Sequence, residues 1–178
     1  MKVYAAYAIG AALVDTEIQV TDAELAELNV EKGMMTLVDQ ARQRDILTKL
    51  SDHLIRANHA SGGSAGNSMI VTAMMGAPTY MSCKVAQDAD GDIYMADLEH
   101  SGVAHGLRER STDGVTGKCI VLITPDAERS LNTHLGISET LSTDEVDEAA
   151  IRGSEWVYLE GYLVTSPTGH AAALKTKT

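Results

Sequence analysis

One stretch of the sequence decides the fold, Ser61-Gly62-Gly63-Ser64-Ala65-Gly66-Asn67, which lies directly ahead of a helical pattern at Ser68–Met75. Two adjacent glycines let a backbone approach a ligand closely, and the helix behind them offers free N–H groups at its N-terminus. Asn67 adds a side chain that donates and accepts hydrogen bonds at once, as sugar hydroxyls require. No lysine follows the glycines, which excludes a phosphate loop of the Gly-x4-Gly-Lys-Ser/Thr type. An ordinary glycine-rich turn explains the same residues, so on spacing alone both interpretations stay open.

Outward from this turn, apolar runs alternate with helical patterns. Four runs predict strands: Val3–Ile9, Thr79–Val85, Cys119–Thr124 and Trp156–Leu159. Capping residues or a 3.6-residue apolar period predict helices after Thr21, after Asp39, at Met69–Met75 (buried), at Ile93–Leu98 and at Asp144–Ile151. Strands that alternate with helices of this size indicate parallel βαβ units, and therefore an α/β sandwich.

Local hydrogen-bonding patterns predict where several helices begin. Thr21–Glu24 has the spacing of a capping box, in which the threonine and the glutamate satisfy each other's backbone N–H groups. Asp39 is the predicted cap of the second helix. Ser142 or Thr143 is the predicted cap of the helix at Asp144–Ile151.

Four segments break the alternation of strands and helices. They are Glu17–Val20, Met34–Val38, Val103–Arg108 and Arg129–Leu135. Their short extended patterns predict a small accessory sheet that projects from the main one.

Composition and charge narrow the class of protein. The chain has 178 residues, with 14 Lys and Arg against 25 Asp and Glu, and a formal net charge of −11. A domain of this length and 44% hydrophobic content can fold without disulfides or metals. The acidic balance argues against nucleic acid or an anionic membrane as partner, because both require a concentrated basic face. Two cysteines are too few for a disulfide framework and indicate a reducing, cytoplasmic setting.

The apolar run Val3–Val14 resembles a targeting segment only superficially. A single lysine precedes it, no small-residue cleavage site follows, and Asp15 ends it. A membrane-spanning helix needs about 20 apolar residues, more than this run supplies. We therefore predict a buried strand that leads into a turn at Gly10, and no membrane association.

The histidines do not predict a metal site. His100 and His105 form one candidate pair and His53 and His59 another, but neither spacing places both rings on one helical face. No cysteine or carboxylate completes a ligand set. No nucleophile elbow or Rossmann glycine motif occurs either. We therefore predict no metal ligand among the histidines.

Five ordered motifs carry a resemblance to a known family. They are Gly10-Ala-Ala-Leu-Val-Asp15, Gly62-Gly63-Ser-Ala-Gly-Asn67, Lys84-Val-Ala-Gln-Asp88-Ala-Asp-Gly91, Thr116-Gly117-Lys-Cys119 and Glu160-Gly161-Tyr162-Leu163. Together they make the chain resemble the ribokinase/PfkB family of carbohydrate kinases over essentially its whole length, and in particular the bacterial adenosine-kinase-like branch. The resemblance implies a ribokinase-like three-layer α/β sandwich with a mostly parallel sheet. It also implies a small β-sheet lid, at about residues 16–38 and 103–135.

The same resemblance implies a sugar-binding site. Asp15 would accept hydrogen bonds from two ribose-type hydroxyls, a geometry in which a carboxylate grips a vicinal diol. Gly62, Gly63 and Asn67 would line the same site.

Further residues would cover the bound substrate. On the lid these are Met35, Leu37, Cys119 and Leu131, and Arg129 would fasten the lid when it closes. Leu163 stands beside Tyr162, near the place where nucleoside kinases usually carry an aromatic ring that stacks on adenine. Lid closure would exclude water from phosphoryl transfer.

The implied activity is ATP-dependent phosphorylation of a hydroxymethyl group on a sugar or nucleoside, with magnesium. The family's Asp-Thr-x-Gly-Ala-Gly-Asp signature, with its catalytic base and anion hole, does not occur in the 178 residues, nor does its Asn-x-x-Glu magnesium segment. We therefore expect the chain to be the N-terminal, substrate-binding half of a longer kinase. The ATP-binding half would be absent, so this chain alone would bind neither ATP nor magnesium and would show negligible turnover.

A non-catalytic module that binds a ribose-like ligand, or that associates with itself, is the alternative. Half of a doubly wound sheet leaves one strand edge and apolar helix faces unpaired. The sequence therefore also predicts a homo-oligomer, such as a dimer, formed through the exposed sheet edge or the lid.

Overall fold

The computed structural model describes residues 2–56, 58–107 and 110–177. The strands are β1 (Tyr4–Ile9), β2 (Leu13–Gln19), β3 (Met35–Leu37), β4 (Asn58–Gly62), β5 (Thr79–Ser82), β6 (Ala104–His105), β7 (Gly117–Ile123), β8 (Arg129–His134) and β9 (Ser154–Leu159). The α-helices are α1 (Asp22–Glu27), α2 (Gln40–Lys49), α3 (Ser64–Met74), α4 (Ala89–His100), α5 (Glu148–Arg152) and α6 (Pro167–Thr176). Short 3₁₀ helices occupy Ser51–Arg56, Gly136–Thr140 and Gly161–Thr165.

The main sheet is parallel and has the strand order β6-β5-β1-β9. Alternate residues of β1 point to opposite faces, so Ala8 packs towards α3 and α4 while Tyr7 and Ile9 pack towards α5 and α6. Helices therefore cover both faces of the sheet, which gives three layers. The predicted α/β sandwich is confirmed.

A second sheet has the order β3-β8-β7-β2-β4. Its pairs β2–β7 and β3–β8 are parallel, whereas β2–β4 and β7–β8 are antiparallel. One face of this sheet packs against α1 and α2 through Ile18, Leu25, Ile46, Ile120 and Leu122. The opposite face is turned away from those helices.

The chain passes from one sheet to the other at the turn between β1 and β2. Only three residues separate Ile9 at the end of β1 from Leu13 at the start of β2. The predicted turn at Gly10 lies in this connection. The chain packs so closely here that a Cβ at position 10 would come within 2.6 Å of a carboxylate oxygen of Glu160.

One predicted member of the accessory sheet belongs to the main sheet instead. Within the described part of Val103–Arg108, Ala104 and His105 form β6, which pairs in parallel with Tyr80 and Met81. The connection β5–α4–β6 is an ordinary crossover between parallel strands, and it returns the chain to the sheet it left. The prediction that this segment lies in the accessory sheet was therefore wrong.

Two predicted helix starts are confirmed at the level of single hydrogen bonds. Thr21 and Glu24 form the capping box that begins α1. Asp39 caps α2 by accepting a hydrogen bond from the backbone N–H of Arg42 at 2.7 Å.

Two other helix predictions needed correction. The predicted buried helix Met69–Met75 is the end of α3, which starts five residues earlier and leaves Met74 and Met75 exposed, at 74% and 83%. The helix predicted at Asp144–Ile151 begins only at Glu148 and is capped by Asp147. Ser142 instead closes a local turn by donating to Glu145 from its backbone N–H.

The start of α4 is tied to the start of β7. Asp88 caps α4 by accepting a hydrogen bond from the Gly91 N–H at 2.8 Å. The same carboxylate accepts hydrogen bonds from the N–H and the hydroxyl of Thr116, at 2.8 and 2.6 Å. One aspartate therefore connects the two sheets through α4. None of the described helices is long and apolar enough to cross a membrane.

Candidate functional site

The face of the second sheet that is turned away from α1 and α2 carries Asp15. Residues paired across neighbouring strands share a face of the sheet. The pairing places Asp15 beside Cys119, Cys119 beside Thr133, and Thr133 beside Leu37. The structure thus brings three of the residues implied by the resemblance into one row.

A second row runs parallel to the first. It pairs Glu17 with Val121, Val121 with Leu131, and Leu131 with Met35. Met35 is 46% exposed, and Leu37 in the first row is 45% exposed. The four predicted covering residues on this sheet therefore share the face of Asp15, and two of them are available to a ligand.

The carboxyl of Asp15 lies in an unusual electrostatic environment. Its pKa is raised to about 6, mainly by burial; the Arg129 guanidinium lowers this pKa and the nearby Glu17 carboxylate raises it. Arg129 itself forms an ion pair with Glu17, with Nη2 and Oε1 2.8 Å apart. Asp15 is therefore mostly ionised at neutral pH although it is partly buried, and hydrogen-bond donors would stabilise this charged form.

The thiol of Cys119 packs inside the second sheet and is not placed to react. It is 2% exposed and accepts a hydrogen bond from the Thr133 hydroxyl at 3.3 Å. Burial raises its pKa to about 11, so it stays protonated at neutral pH.

Gly62 and Gly63 lie so close to their neighbours that a side chain at either position would collide with them. A Cβ at Gly62, on the strand next to β2, would overlap the carboxylate of Asp15. Gly63 has a φ of +81°, and a Cβ there would lie 2.7 Å from the carbonyl oxygen of Ala11. The glycine pair therefore lets the backbone pass directly beside Asp15 and turn into α3.

Asn67 lies in the first turn of α3, where its N–H donates to the carbonyl of Gly63 at 3.0 Å. The residue is exposed, and its side chain makes no hydrogen bond with any residue that the structure describes. Its amide is therefore available to a ligand held near the glycine turn.

A buried glutamate joins the elements around this turn. Glu160 follows β9 and is 3% exposed. Its Oε2 accepts a hydrogen bond from the Ala11 N–H at 2.5 Å, and its Oε1 accepts from the Ser64 hydroxyl and the Ala65 N–H, at 2.8 and 3.1 Å. One carboxylate thus links the β1–β2 turn, the first turn of α3 and the end of β9.

The aromatic ring near the site belongs to Tyr162 and not to residue 163. Leu163 is 4% exposed and packs in the core on the α5–α6 side of the main sheet. The structure therefore does not bring Leu163 to the face that carries Asp15. Tyr162 packs beside Ala11 and Leu13, with its hydroxyl 3.4 Å from that of Thr133. Burial raises the pKa of Tyr162, and its ring lies at the edge of the Asp15 row.

No metal centre forms among the described residues. Across 2–56, 58–107 and 110–177, no group of three or more His, Cys, Asp or Glu side chains is arranged to hold a metal ion. His59, one of the paired histidines considered above, has a side chain outside the described set.

Comparison with known families matches residues 32–178 to the pfkB family carbohydrate kinases. The chain belongs to this family. Mouse ribokinase is 23% identical to this pfkB-family chain over 113 residues, which are 64% of the chain and 35% of the ribokinase.

Solved structures place the pfkB-family chain among sugar and adenosine kinases. A probable sugar kinase from Rhizobium etli CFN 42 is 30% identical, with a TM-score of 0.90 over 99% of the chain. Adenosine kinase from Sinorhizobium meliloti is 32% identical, with a TM-score of 0.89 over 97% of it. The chain spans 52% of the length of each of these two proteins. The similarity shows a ribokinase-like fold.

Proposed function

We propose that this chain is the substrate-binding part of an ATP-dependent kinase that phosphorylates a hydroxymethyl group on a ribose-like sugar or nucleoside. The observation that carries the proposal is the Asp15 carboxylate, which is partly buried against the backbone of Gly62 on the open face of the second sheet. A vicinal diol supplies two donors to one carboxylate and would meet the demand that burial creates. Asn67 and the N–H groups at the start of α3 would bind further hydroxyls.

The second sheet would act as the lid of this site. Met35, Leu37 and Leu131 share the face of Asp15, so closure of this face over a bound sugar would cover it with apolar side chains. Arg129, now paired with Glu17, would help to fasten the closed lid. Covering the sugar matters because water competes with the sugar hydroxyl for the phosphoryl group.

The described residues do not fit a magnesium site, and no phosphate loop occurs in the sequence. The proposal therefore assigns ATP, magnesium and the catalytic base to other parts of a longer kinase. The lengths of the related proteins leave room for such parts. Two buried free cysteines fit a reducing compartment, so the proposal includes a cytoplasmic location.

Tyr162 favours a nucleoside over a simple sugar. Its ring borders the Asp15 row and could stack on a base attached to the bound ribose. The name of the related S. meliloti protein, adenosine kinase, agrees with this choice.

Calorimetric titration of the chain with ribose, fructose and adenosine tests the proposal. We expect binding of at least one of them, and loss of that binding in Asp15→Ala because the diol loses its acceptor. Asp144→Ala is the matched control, since Asp144 is exposed and lies beside Tyr80 and Gly106, next to the main sheet. Unchanged affinity in Asp15→Ala would contradict the assignment. ATP consumption by the isolated chain at ordinary kinase rates would contradict the placement of the catalytic groups elsewhere.

A self-associating module is the second candidate, and one observation favours it. β9 is one of the two outer strands of the described main sheet, and Trp156 on it is 75% exposed with Val157 and Tyr158 also accessible. An exposed strand edge with large apolar side chains invites pairing with a second copy. Sedimentation velocity of the wild type and of Trp156→Ser distinguishes this candidate, since only association through β9 weakens in the variant.

A further inference from the structure

The first turn of α3 packs against a tyrosine of α4 that lies outside the site around Asp15. Tyr94 is 0% exposed and belongs to the core that α3 and α4 form with the main sheet. A Cβ at Gly66, in the first turn of α3, would overlap the hydroxyl oxygen of Tyr94 and lie 3.3 Å from its Cζ. The ring therefore points its hydroxyl at the backbone of Gly66, where a glycine leaves room for it.

The Tyr94 hydroxyl makes no hydrogen bond with any residue that the structure describes. Burial raises the pKa of Tyr94 well above its usual value, so the hydroxyl keeps its proton at neutral pH. A buried donor without a partner destabilises a fold, and phenylalanine would fill almost the same volume without that cost. The oxygen must therefore be explained by what it contacts, which is the backbone of Gly66.

Glu160 holds the same turn from the other side. Its Oε1 accepts hydrogen bonds from the Ser64 hydroxyl, at 2.8 Å, and from the Ala65 N–H, at 3.1 Å. Successive residues of an α-helix are about 100° apart around the axis, so Ser64 and Gly66 point to nearly opposite sides of α3. The hydrogen bonds to Glu160 and the contact with the Tyr94 hydroxyl therefore confine the first turn of α3 between them.

The same helix also contacts the chain just before Gly62 and Gly63. Asp97 of α4 accepts a hydrogen bond from the Ser61 N–H at 3.0 Å. Asp97 lies three positions after Tyr94, so both side chains project from one face of α4. That face therefore contacts both ends of the glycine turn, with Ser61 before it and Gly66 after it.

We infer that Tyr94 is a positioning residue, whose hydroxyl sets where the first turn of α3 lies and thereby where Asn67 and the glycine turn stand relative to Asp15. The Asn67 amide and the N–H groups at the start of α3 follow this turn because they belong to it. Hydrogen bonds weaken steeply as distances and angles depart from their optimum, so a small displacement of the turn lowers affinity for a bound sugar. The effect on the sugar rests on the proposed function, whereas the placement of the turn does not.

Tyr94→Phe tests the inference because it removes one oxygen and keeps the ring. We expect the variant to melt at the same temperature as the wild type or higher, since an unpaired buried hydroxyl is lost. Hydrogen exchange of the Ala65 and Asn67 amides should nevertheless become at least about threefold faster, because the first turn of α3 loses its contact on the α4 side. Sugar affinity in calorimetry should fall by about threefold or more, as expected when one hydrogen bond is weakened. A purely structural role would change the melting temperature and leave the affinity alone.

Tyr4→Phe is the matched control. Tyr4 packs beside Tyr80 on the α5–α6 side of the main sheet, with the two ring centroids 5.3 Å apart, so the sheet separates it from α3. Loss of its hydroxyl should leave the exchange of both amides and the sugar affinity unchanged.

Gly66→Ala tests the contact itself in a double-mutant cycle. Alanine is ordinarily the better helix residue, yet its Cβ overlaps the Tyr94 hydroxyl here, so the melting temperature should fall by about 4–10 °C. In the Tyr94→Phe background the same substitution should lower the melting temperature by about half of that or less, because the colliding oxygen is gone.

Four results would overturn the inference. They are a lower melting temperature of Tyr94→Phe, unchanged amide exchange in that variant, additive effects of Tyr94→Phe and Gly66→Ala, and wild-type sugar affinity despite faster exchange. The first would show that the hydroxyl has a stabilising partner. If the wild-type chain binds no sugar, the proposed function fails, while amide exchange and the double-mutant cycle decide on their own whether Tyr94 places the turn.

Discussion

Replacing Glu160 by glutamine should loosen the glycine turn although the two side chains have nearly the same shape. The carboxylate accepts three hydrogen bonds, two of them from the backbone N–H groups of Ala11 and Ala65. An amide has one acceptor oxygen, so one of these two N–H groups must lose its partner and face an NH2 group instead. The third donor, the Ser64 hydroxyl, can turn and accept.

The expected cost follows from the burial of the site. Glu160 is 3% exposed, so water cannot replace the lost acceptor. Hydrogen bonds to charged groups contribute about 1.5–3 kcal/mol each, and an unpaired buried donor costs a similar amount. We therefore expect a loss of about 2–4 kcal/mol in the free energy of unfolding. At about 2–4 °C per kcal/mol for a chain of this size, the melting temperature should fall by roughly 4–16 °C.

Urea and thermal unfolding of three proteins would check this value. Glu155→Gln is the matched control, because Glu155 lies on β9 too but is exposed, and it should stay within about 0.5 kcal/mol of the wild type. A Glu160→Gln protein as stable as Glu155→Gln would refute the view that this carboxylate holds the turn together.

Three further predictions concern the same region. The pKa of Asp15 is about 6 in the folded state and near 4 in the unfolded state, mainly because the folded carboxyl is partly buried. Between these values the folded state binds the extra proton, so the free energy of unfolding should fall by about 1–2 kcal/mol as pH rises from 4 to 6. Urea unfolding at both pH values should show this decrease in the wild type and not in Asp15→Asn. Gly62→Ala should reduce sugar affinity at least tenfold in calorimetry, because its Cβ overlaps the Asp15 carboxylate; unchanged affinity would contradict the close approach. Asp88→Ala should lower the free energy of unfolding by about 2–3 kcal/mol in thermal unfolding, because α4 loses its cap and Thr116 loses the acceptor of two hydrogen bonds. Asp92→Ala, on the exposed side of α4, should lower it far less.

Local interactions explain which helix starts were predictable. Thr21–Glu24 and Asp39 contain both partners of their capping bonds within four residues, so the pattern is visible in the sequence. Ser142 offered a similar pattern, yet the helix begins after Asp147. Asp147 also accepts a hydrogen bond from Tyr80, which is 67 positions away. Such a tertiary contact leaves no local signal.

The same distinction applies to the site. Asp15, Gly62 and Gly63 stood in recognisable motifs, and the strand pairing brings them together. Leu163 was expected near the substrate, but the 3₁₀ helix Gly161–Thr165 turns its side chain into the core and that of its neighbour Tyr162 towards the Asp15 row. The direction of that turn depends on packing against the main sheet and could not be inferred from spacing.

Glu160 was visible as part of a motif, but its partners were not. A carboxylate directly after an apolar strand pattern and before a glycine is the one signal in the sequence that could have marked it. Its hydrogen bonds span 149 and 95 positions of the chain.

Those spans have a consequence for biosynthesis. A ribosome adds about 5–20 residues each second, so several seconds pass between the emergence of Ala11 and that of Glu160. The pairing of β1 with β9, its neighbour in the sheet, is delayed by a similar time. During this interval the Glu160 carboxylate is missing, so the β1–β2 turn and the start of α3 stay unlinked. Loop closure over such distances is also slow. A strand made this late, β9, is thus followed by the residue that fixes the turn between β1 and β2.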